Sequence, residues 1–164
     1  MARSDMFLKA TGQRTGEILG ESNDKSFPNQ IDVLDWSWGM SAPSSVGGQR
    51  AGRTLMKEVR IIKRVDKAST SLMSVMSTNE TLKSAVLSVR KAGGASPLAY
   101  FTMTLEQARV AAYDVECSVD DNGAPMLRES LSLAFRRITV DHVVQSEQGA
   151  SRGGSSFTGE VSPD

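Results

Sequence analysis

The sequence predicts a mainly β fold, a barrel or sandwich carrying one short helix. Three observations predict it: several segments alternate apolar and polar residues with period two, turn residues separate them, and one short stretch carries a capped apolar stripe of helical spacing. In Ile31–Met40, alternation places Leu34, Trp36, Trp38 and Met40 on one face and Asp35, Ser37 and Gly39 on the other. Ser41–Arg53 is rich in Ser and Gly, with one proline, and reads as a flexible arm rather than a tight turn. Over Ser69–Ser77, the spacing of Leu72, Met73, Val75 and Met76 predicts a helix capped by Ser69 or Thr70, its apolar stripe plugging one end of a barrel.

The second half of the chain holds the clearest strands. In Lys83–Lys91, Ala85, Leu87 and Val89 face one way; in Leu98–Leu105, Ala99, Phe101, Met103 and Leu105 do. In Arg109–Val119, Ala111, Tyr113, Val115, Cys117 and Val119 alternate against Val110, Ala112, Asp114, Glu116 and Ser118. The run Asp120–Pro125 predicts a hairpin tip. Over Leu127–Val144 the apolar phase changes from odd positions (Leu127, Leu131, Leu133, Phe135) to even ones (Ile138, Val140, Val144). A one-residue shift reverses every side chain, so a bulge or bend near Arg136-Arg137 is expected to turn a barrel corner. Gln148–Asp164 is polar and dominated by Gly and Ser, which predicts a flexible C-terminal tail, 148–164, after a folded domain over 1–147.

Composition narrows the function. The 164 residues suit one domain, and 39% apolar residues with 14 glycines suffice for one core. Lys+Arg and Asp+Glu are both 19, so the global basic excess of nucleic-acid readers is missing and no nucleic-acid partner is expected. A balanced surface also lets copies of the chain approach one another. Cys117 is the only cysteine, which excludes an intrachain disulfide and a cysteine-based zinc site. No apolar run reaches the roughly 20 residues of a membrane span, and the first residues hold no signal-peptide core. Synthesis in the cytoplasm and no membrane insertion are therefore expected.

Several motifs imitate catalytic or binding sites. Gly47-Gly48-Gln49-Arg50-Ala51-Gly52-Arg53-Thr54 has the spacing of a phosphate-binding loop with Arg53 in place of the lysine, and reads as a plain loop because a guanidinium does not replace that compact charge. Leu55, Val59 and Ile62 behind it fit a helical period. His142, the only histidine, reads as a partly exposed residue at a strand end, and Cys117 as a small buried one. No Gly-x-Ser-x-Gly elbow accompanies them. Glu17, Asp24, Asp32 and Asp35 read as solvated charges. No catalytic residue, cofactor or metal is expected. Trp36 and Trp38 offer an alternative: exposed, they would form the stacking platform of a monomeric β-rich carbohydrate-binding module; in the core, they supply volume.

One ordered set of motifs carries a family resemblance. It opens with Asp5-Met6-Phe7-Leu8-Lys9 and Gly20-Glu21-Ser22, then a turn containing Lys25, and passes through Ile31-Asp32-Val33-Leu34-Asp35-Trp36-Ser37-Trp38-Gly39-Met40-Ser41. It continues with Asp66-Lys67-Ala68-Ser69 and Leu72-Met73, then Val89-Arg90-Lys91-Ala92-Gly93-Gly94, and ends at Glu129-Ser130-Leu131-Ser132-Leu133-Ala134-Phe135 ahead of Ile138. Over about residues 5–145 the chain resembles the Hcp family of type VI secretion tube proteins. The resemblance implies a compact β-barrel of two antiparallel sheets with one short α-helix at its side, like the tail tube proteins of phages. It also implies a homo-hexameric ring with a wide channel, rings stacked head to tail inside a contractile sheath behind a VgrG-type spike, and small effector proteins held in the channel. Export by type VI secretion needs no signal peptide. On this reading Ser37 projects from the channel wall as an effector-binding residue, and Ser44, Ser45, Val46, Gly47, Gly48, Gln49 and Arg50 form an inter-subunit loop. The family often has an aromatic where His142 stands, and often a longer segment than Gly149–Asp164.

Overall fold

The computed structural model describes residues 5–45, 47–49, 52–91, 98–145 and 151–161. The strands run β1 (Met6–Gly12), β2 (Gly16–Ile18), β3 (Ile31–Asp32), β4 (Asp35–Ser37), β5 (Met40–Ser41), β6 (Leu55–Met56) and β7 (Val59–Arg64). Helix α1 (Ala68–Ser77) follows, and then β8 (Leu82–Val89), β9 (Phe101–Val119), β10 (Pro125–Ala134), β11 (Arg137–Gln145) and β12 (Ser151–Glu160). All pairings are antiparallel. One sheet has the order β2-β1-β8-β9-β11-β12, with β3 beside β1; the other has the order β9-β10-β7-β4. The predicted two-sheet β fold with one helix is present.

The sheets share β9, whose 19 residues span both. Its first half pairs with β8 and β11, as in Met103 opposite both Leu87 and Val140; its second half pairs with β10, as in Tyr113 opposite Leu131. Along β9 the set of side chains that points inward reverses twice around the crossing from one sheet to the other. Met103 and Leu105 are buried, then Ala108 and Val110, with Gln107 between them at φ 50°. A register shift opposite Ser132/Leu133 then leaves Ala111 as an extra residue, and Tyr113 faces inward again. The expectation that Ala111 and Val110 lie on opposite faces holds, but Val110 is the buried one. The phase change predicted near Arg136-Arg137 is a corner of the same kind: β10 ends at Ala134 in the second sheet, β11 begins at Arg137 in the first, and Phe135 and Ile138 are both buried.

Leu8, Leu82, Leu87, Met103 and Ile138 of one sheet meet Ile61, Leu131 and Leu133 of the other in a single core. Helix α1 starts one residue before the predicted span and adds Leu72 and Val75 to that core, while Met73 and Met76 face outward. Its cap differs from expectation. Lys67 occupies the N-cap position without a side-chain cap bond, and the Asp66 carboxylate accepts from Ala68 N–H at 2.9 Å while Ser69 Oγ accepts from Asp66 N–H at 2.9 Å.

Two further expectations are corrected. Ser151–Glu160 is not a flexible tail: it pairs with β11 from Arg137↔Glu160 to Gln145↔Ser151. An edge strand needs backbone hydrogen bonds more than apolar side chains, and Gly154, whose added Cβ would stand 2.7 Å from His142 O, lets the two backbones approach closely. Cys117 is exposed rather than buried. The β9–β10 hairpin overhangs the core, so Val115, Val119 and Leu127 on the same side are exposed too.

Candidate functional site

The outer face of the second sheet is a polar wall, built by the same alternation that makes the core. Trp36, Ile61 and Leu131 point inward; Ser37, Arg60 and Ser132 therefore line up outward, with Ser37 opposite Arg60 and Arg60 opposite Ser132. Ser37 is exposed, as its position between the tryptophans predicts. The next rows are Asp35–Ile62–Ser130–Asp114 and Arg64–Arg128–Glu116. Arg60 Nε donates to Ser130 Oγ at 3.2 Å, and a cleft of about 450 Å³ opens between Arg60, Arg128, Asp114 and Glu116.

The tryptophans belong to the core side. Both are partly buried against the apolar cluster, and Trp36 stacks on Phe101 with ring centroids 5.4 Å apart. An exposed pair for sugar stacking is thereby removed.

The described residues of the predicted arm are exposed. Its base is the two-stranded ribbon β5–β6, with Met40 opposite Met56 and Ser41 opposite Leu55, which joins neither main sheet. Ser44, Ser45, Gly47, Gly48 and Gln49 are all exposed; Val46 and Arg50 lie outside the described residues. Ser45 N–H donates to Gln49 O at 2.6 Å, and Gly47 and Gly48 take φ of 99° and 84°, values that suit residues without a Cβ. Beyond Thr54 the chain runs as β6 and β7, so the helical period of Leu55, Val59 and Ile62 is not realised. A phosphate loop needs a helix N-terminus there.

Behind the polar wall lies an ionic cluster that sequence reasoning missed. Lys63 and Glu129 are each 0% exposed. Lys63 Nζ donates to Glu129 Oε1 at 2.6 Å, Asp66 Oδ1 at 2.9 Å, Arg64 O at 2.9 Å and Ser69 Oγ at 3.2 Å. The hydroxyls of Ser69 and Tyr113 donate to the same Glu129 carboxylate. Every donor of the ammonium is used, and the cluster ties β7, α1, β9 and β10 together. Burial, and then the hydrogen bond to Glu129, push the Tyr113 phenol well above its ordinary value.

A second clamp fastens the segment between β2 and β3. Phe27 stacks on Phe7 at 4.5 Å, and the Arg90 guanidinium lies 5.3 Å from the Phe7 ring and 5.8 Å from the Phe27 ring. Arg90 pairs with Asp5 at 3.1 Å and with Asp24. That hydrogen bond from Arg90 holds the Asp24 carboxyl below the usual carboxylate range, so Asp24 is a structural partner rather than a free surface charge.

The other single residues do not converge. His142 is exposed within β11, edge-on to Tyr100 at 6.4 Å, and far along the chain's fold from the Cys117 hairpin in a different sheet. Burial pushes the Asp32 carboxyl up, with Asp66 nearby adding to it. Glu17 and Asp35 are exposed. Among the described residues no three His, Cys, Asp or Glu side chains gather as a metal site, and no helix is long and apolar enough to cross a membrane.

Comparison with known proteins places this architecture. The family described as "Type VI secretion system effector, Hcp" matches residues 7–142. Protein hcp1 of Pseudomonas aeruginosa is 36% identical over 153 residues, which cover 92% of this chain and 90% of that protein. Among solved structures, a type VI secretion system effector from Yersinia pestis superposes with a TM-score of 0.74 at 27% identity, over 96% of this chain and 100% of that one. Hcp1 from Salmonella typhimurium does so with a TM-score of 0.72 at 28% identity, over 95% and 94%. A family match over most of the length, a relative well above 30% identity and a shared two-sheet fold agree: the chain belongs to the Hcp family of type VI secretion proteins.

Proposed function

We propose that this chain, a type VI secretion tube subunit, closes with five further copies into a hexameric ring and that rings stack head to tail into a tube. The tube runs inside a sheath behind a VgrG-type spike and carries effector proteins out of the cell in which it is made. The role is structural rather than catalytic, and calls on neither nucleic acid nor membrane insertion.

The observation that carries this reading is a pair of features with no work to do within one subunit. The tip carried by the ribbon β5–β6 is exposed at every described residue, the ribbon itself pairing with neither sheet and meeting the barrel through Met56, and the hairpin overhang leaves Val115, Val119 and Leu127 uncovered. Repeated heterologous contact between such surfaces closes a ring at the right rotation. The polar wall bearing Ser37 is the natural channel lining, since the small hydroxyls of Ser37, Ser130 and Ser132 stand between its charged side chains and leave room for cargo.

Electron microscopy of the purified protein tests the reading: uniform rings are expected, and a particle that stays monomeric at high concentration refutes it. Deleting Val46–Ala51 should leave the thermal midpoint nearly unchanged and abolish tube growth; normal secretion by the deletion variant removes the arm from the interface. Ser37→Trp should form rings and lose effector co-purification, and unchanged co-purification removes Ser37 from the channel wall.

A further inference from the structure

We propose that the Ser37 wall carries an anion-binding stripe, Arg60, Arg64 and Arg128, which takes the side-chain carboxylates of an exported polypeptide. The inference rests on the reading of this face as the channel lining.

The stripe occupies the two central strands of the wall. Arg64 and Arg128 stand directly opposite one another across β7 and β10. Like charges in that position oppose strand pairing, so the arrangement works against the fold unless an anion arrives. Among the described residues none is in contact with them: the Asp32 carboxyl feels the charge of Arg64 without forming an ion pair with it. Arg64 Nε rests on Met126 Sδ at 3.1 Å and Arg60 Nε on Ser130 Oγ, both neutral atoms. Among the described residues none of the three arginines joins an ion pair, although Glu116 lies opposite Arg128 in register. Planar guanidinium groups with free donors bind carboxylates bidentately.

The flanks choose between kinds of anion. Asp35 borders the stripe on β4, and Asp114 and Glu116 border it on β9. A uniformly anionic chain such as a nucleic acid meets repulsion on both sides. A polypeptide with a carboxylate centre and basic flanks meets attraction across the whole width. The cleft between Arg60, Arg128 and Asp114 offers about 450 Å³, room for side chains rather than a folded domain.

The test uses assembled rings and three fluorescent probes: a short peptide with glutamates at its centre and lysines at its ends, the peptide of opposite arrangement, and a single-stranded oligonucleotide of similar length. The first should bind most tightly, weaken with salt, and lose about tenfold in affinity for each arginine changed to Gln. Equal binding of the two peptides overturns the proposal, as does tightest binding of the oligonucleotide. Undiminished binding to Arg60→Gln/Arg64→Gln/Arg128→Gln rings also overturns it. Should the triple variant fail to form rings, Arg60→Gln alone, at an exposed position, carries the same expectation. The channel reading is separable: loss of effector from Ser37→Trp rings, with probe binding independent of the arginines, leaves that reading standing while this inference falls.

Discussion

Replacing Lys63 by Met should destabilise the subunit by about 3–5 kcal/mol, the range for removing one partner of a buried ion pair. The structure accounts for the size of the effect. Glu129 is 0% exposed and would be left with hydroxyl donors only, from Ser69 and Tyr113. Asp66, now without its 2.9 Å contact to Nζ, would share Ser69 with that unpaired carboxylate. For a domain of this size the loss corresponds to a fall of about 6–20 °C in thermal midpoint. The double variant Lys63→Met/Glu129→Leu removes both charges together and should lie within about 2 kcal/mol of wild type, because Tyr113, only partly buried, reaches water. Urea unfolding of Lys63→Met, Glu129→Leu, the double variant and the wild type, at one fixed protomer concentration, measures the coupling. A Lys63→Met protein within about 1 kcal/mol of wild type, or a double variant whose loss is the sum of the singles, would refute the argument.

Acid should loosen two carboxylate clamps. Asp24 is held below its ordinary 3.8 by the Arg90 hydrogen bond, and Glu80 below its ordinary 4.5, first by the Thr15 backbone N–H and then by the Thr15 hydroxyl. Each lends stability above its unfolded value that is lost as pH falls through the folded one, so the urea midpoint should drop below about pH 4, and Asp24→Asn should flatten that drop. A pH-independent midpoint in the acid range speaks against both clamps. Gly20→Ala should cost about 1–3 kcal/mol, since its Cβ would stand 2.5 Å from Gln30 O and 2.6 Å from Ile31 Cα, both backbone atoms. Gly159→Ala meets the flexible end of Met56 and should cost less; equal losses would show that the two sites yield alike.

Much of the fold was legible because period two survives wherever a strand keeps to one sheet. The strand in Lys83–Lys91, the corner at Phe135–Ile138 and the hairpin tip, where Asp120 Oδ1 accepts from Asn122 and Ala124 N–H and Gly123 takes φ 80°, all follow from residue type. The double reversal in β9 did not, because Gln107 takes a positive φ that no glycine or asparagine announces. β12 was hidden by a composition suited to a loop, although Phe157 and Thr158 sit in it as strand formers. The buried pair did leave a trace: Lys63 shares the phase of Val59 and Ile61, and Glu129 that of Leu131, so alternation read strictly puts both charges inside. The exposed position of Ser37 follows from the same phase rule, whereas the arginine stripe needs the register between β7 and β10, which a single sequence does not contain.

The shared strand β9 has a mechanical consequence. Two sheets held only by side-chain packing slide or part under load, one yielding before the other. Here one continuous backbone is woven into both, its first half laddered to β8 and β11 and its second half to β10, so the sheets stay covalently tied unless one half of β9 leaves its ladder. Load applied to one sheet is thus passed to the other through the backbone of β9 as well as through the side chains of the core.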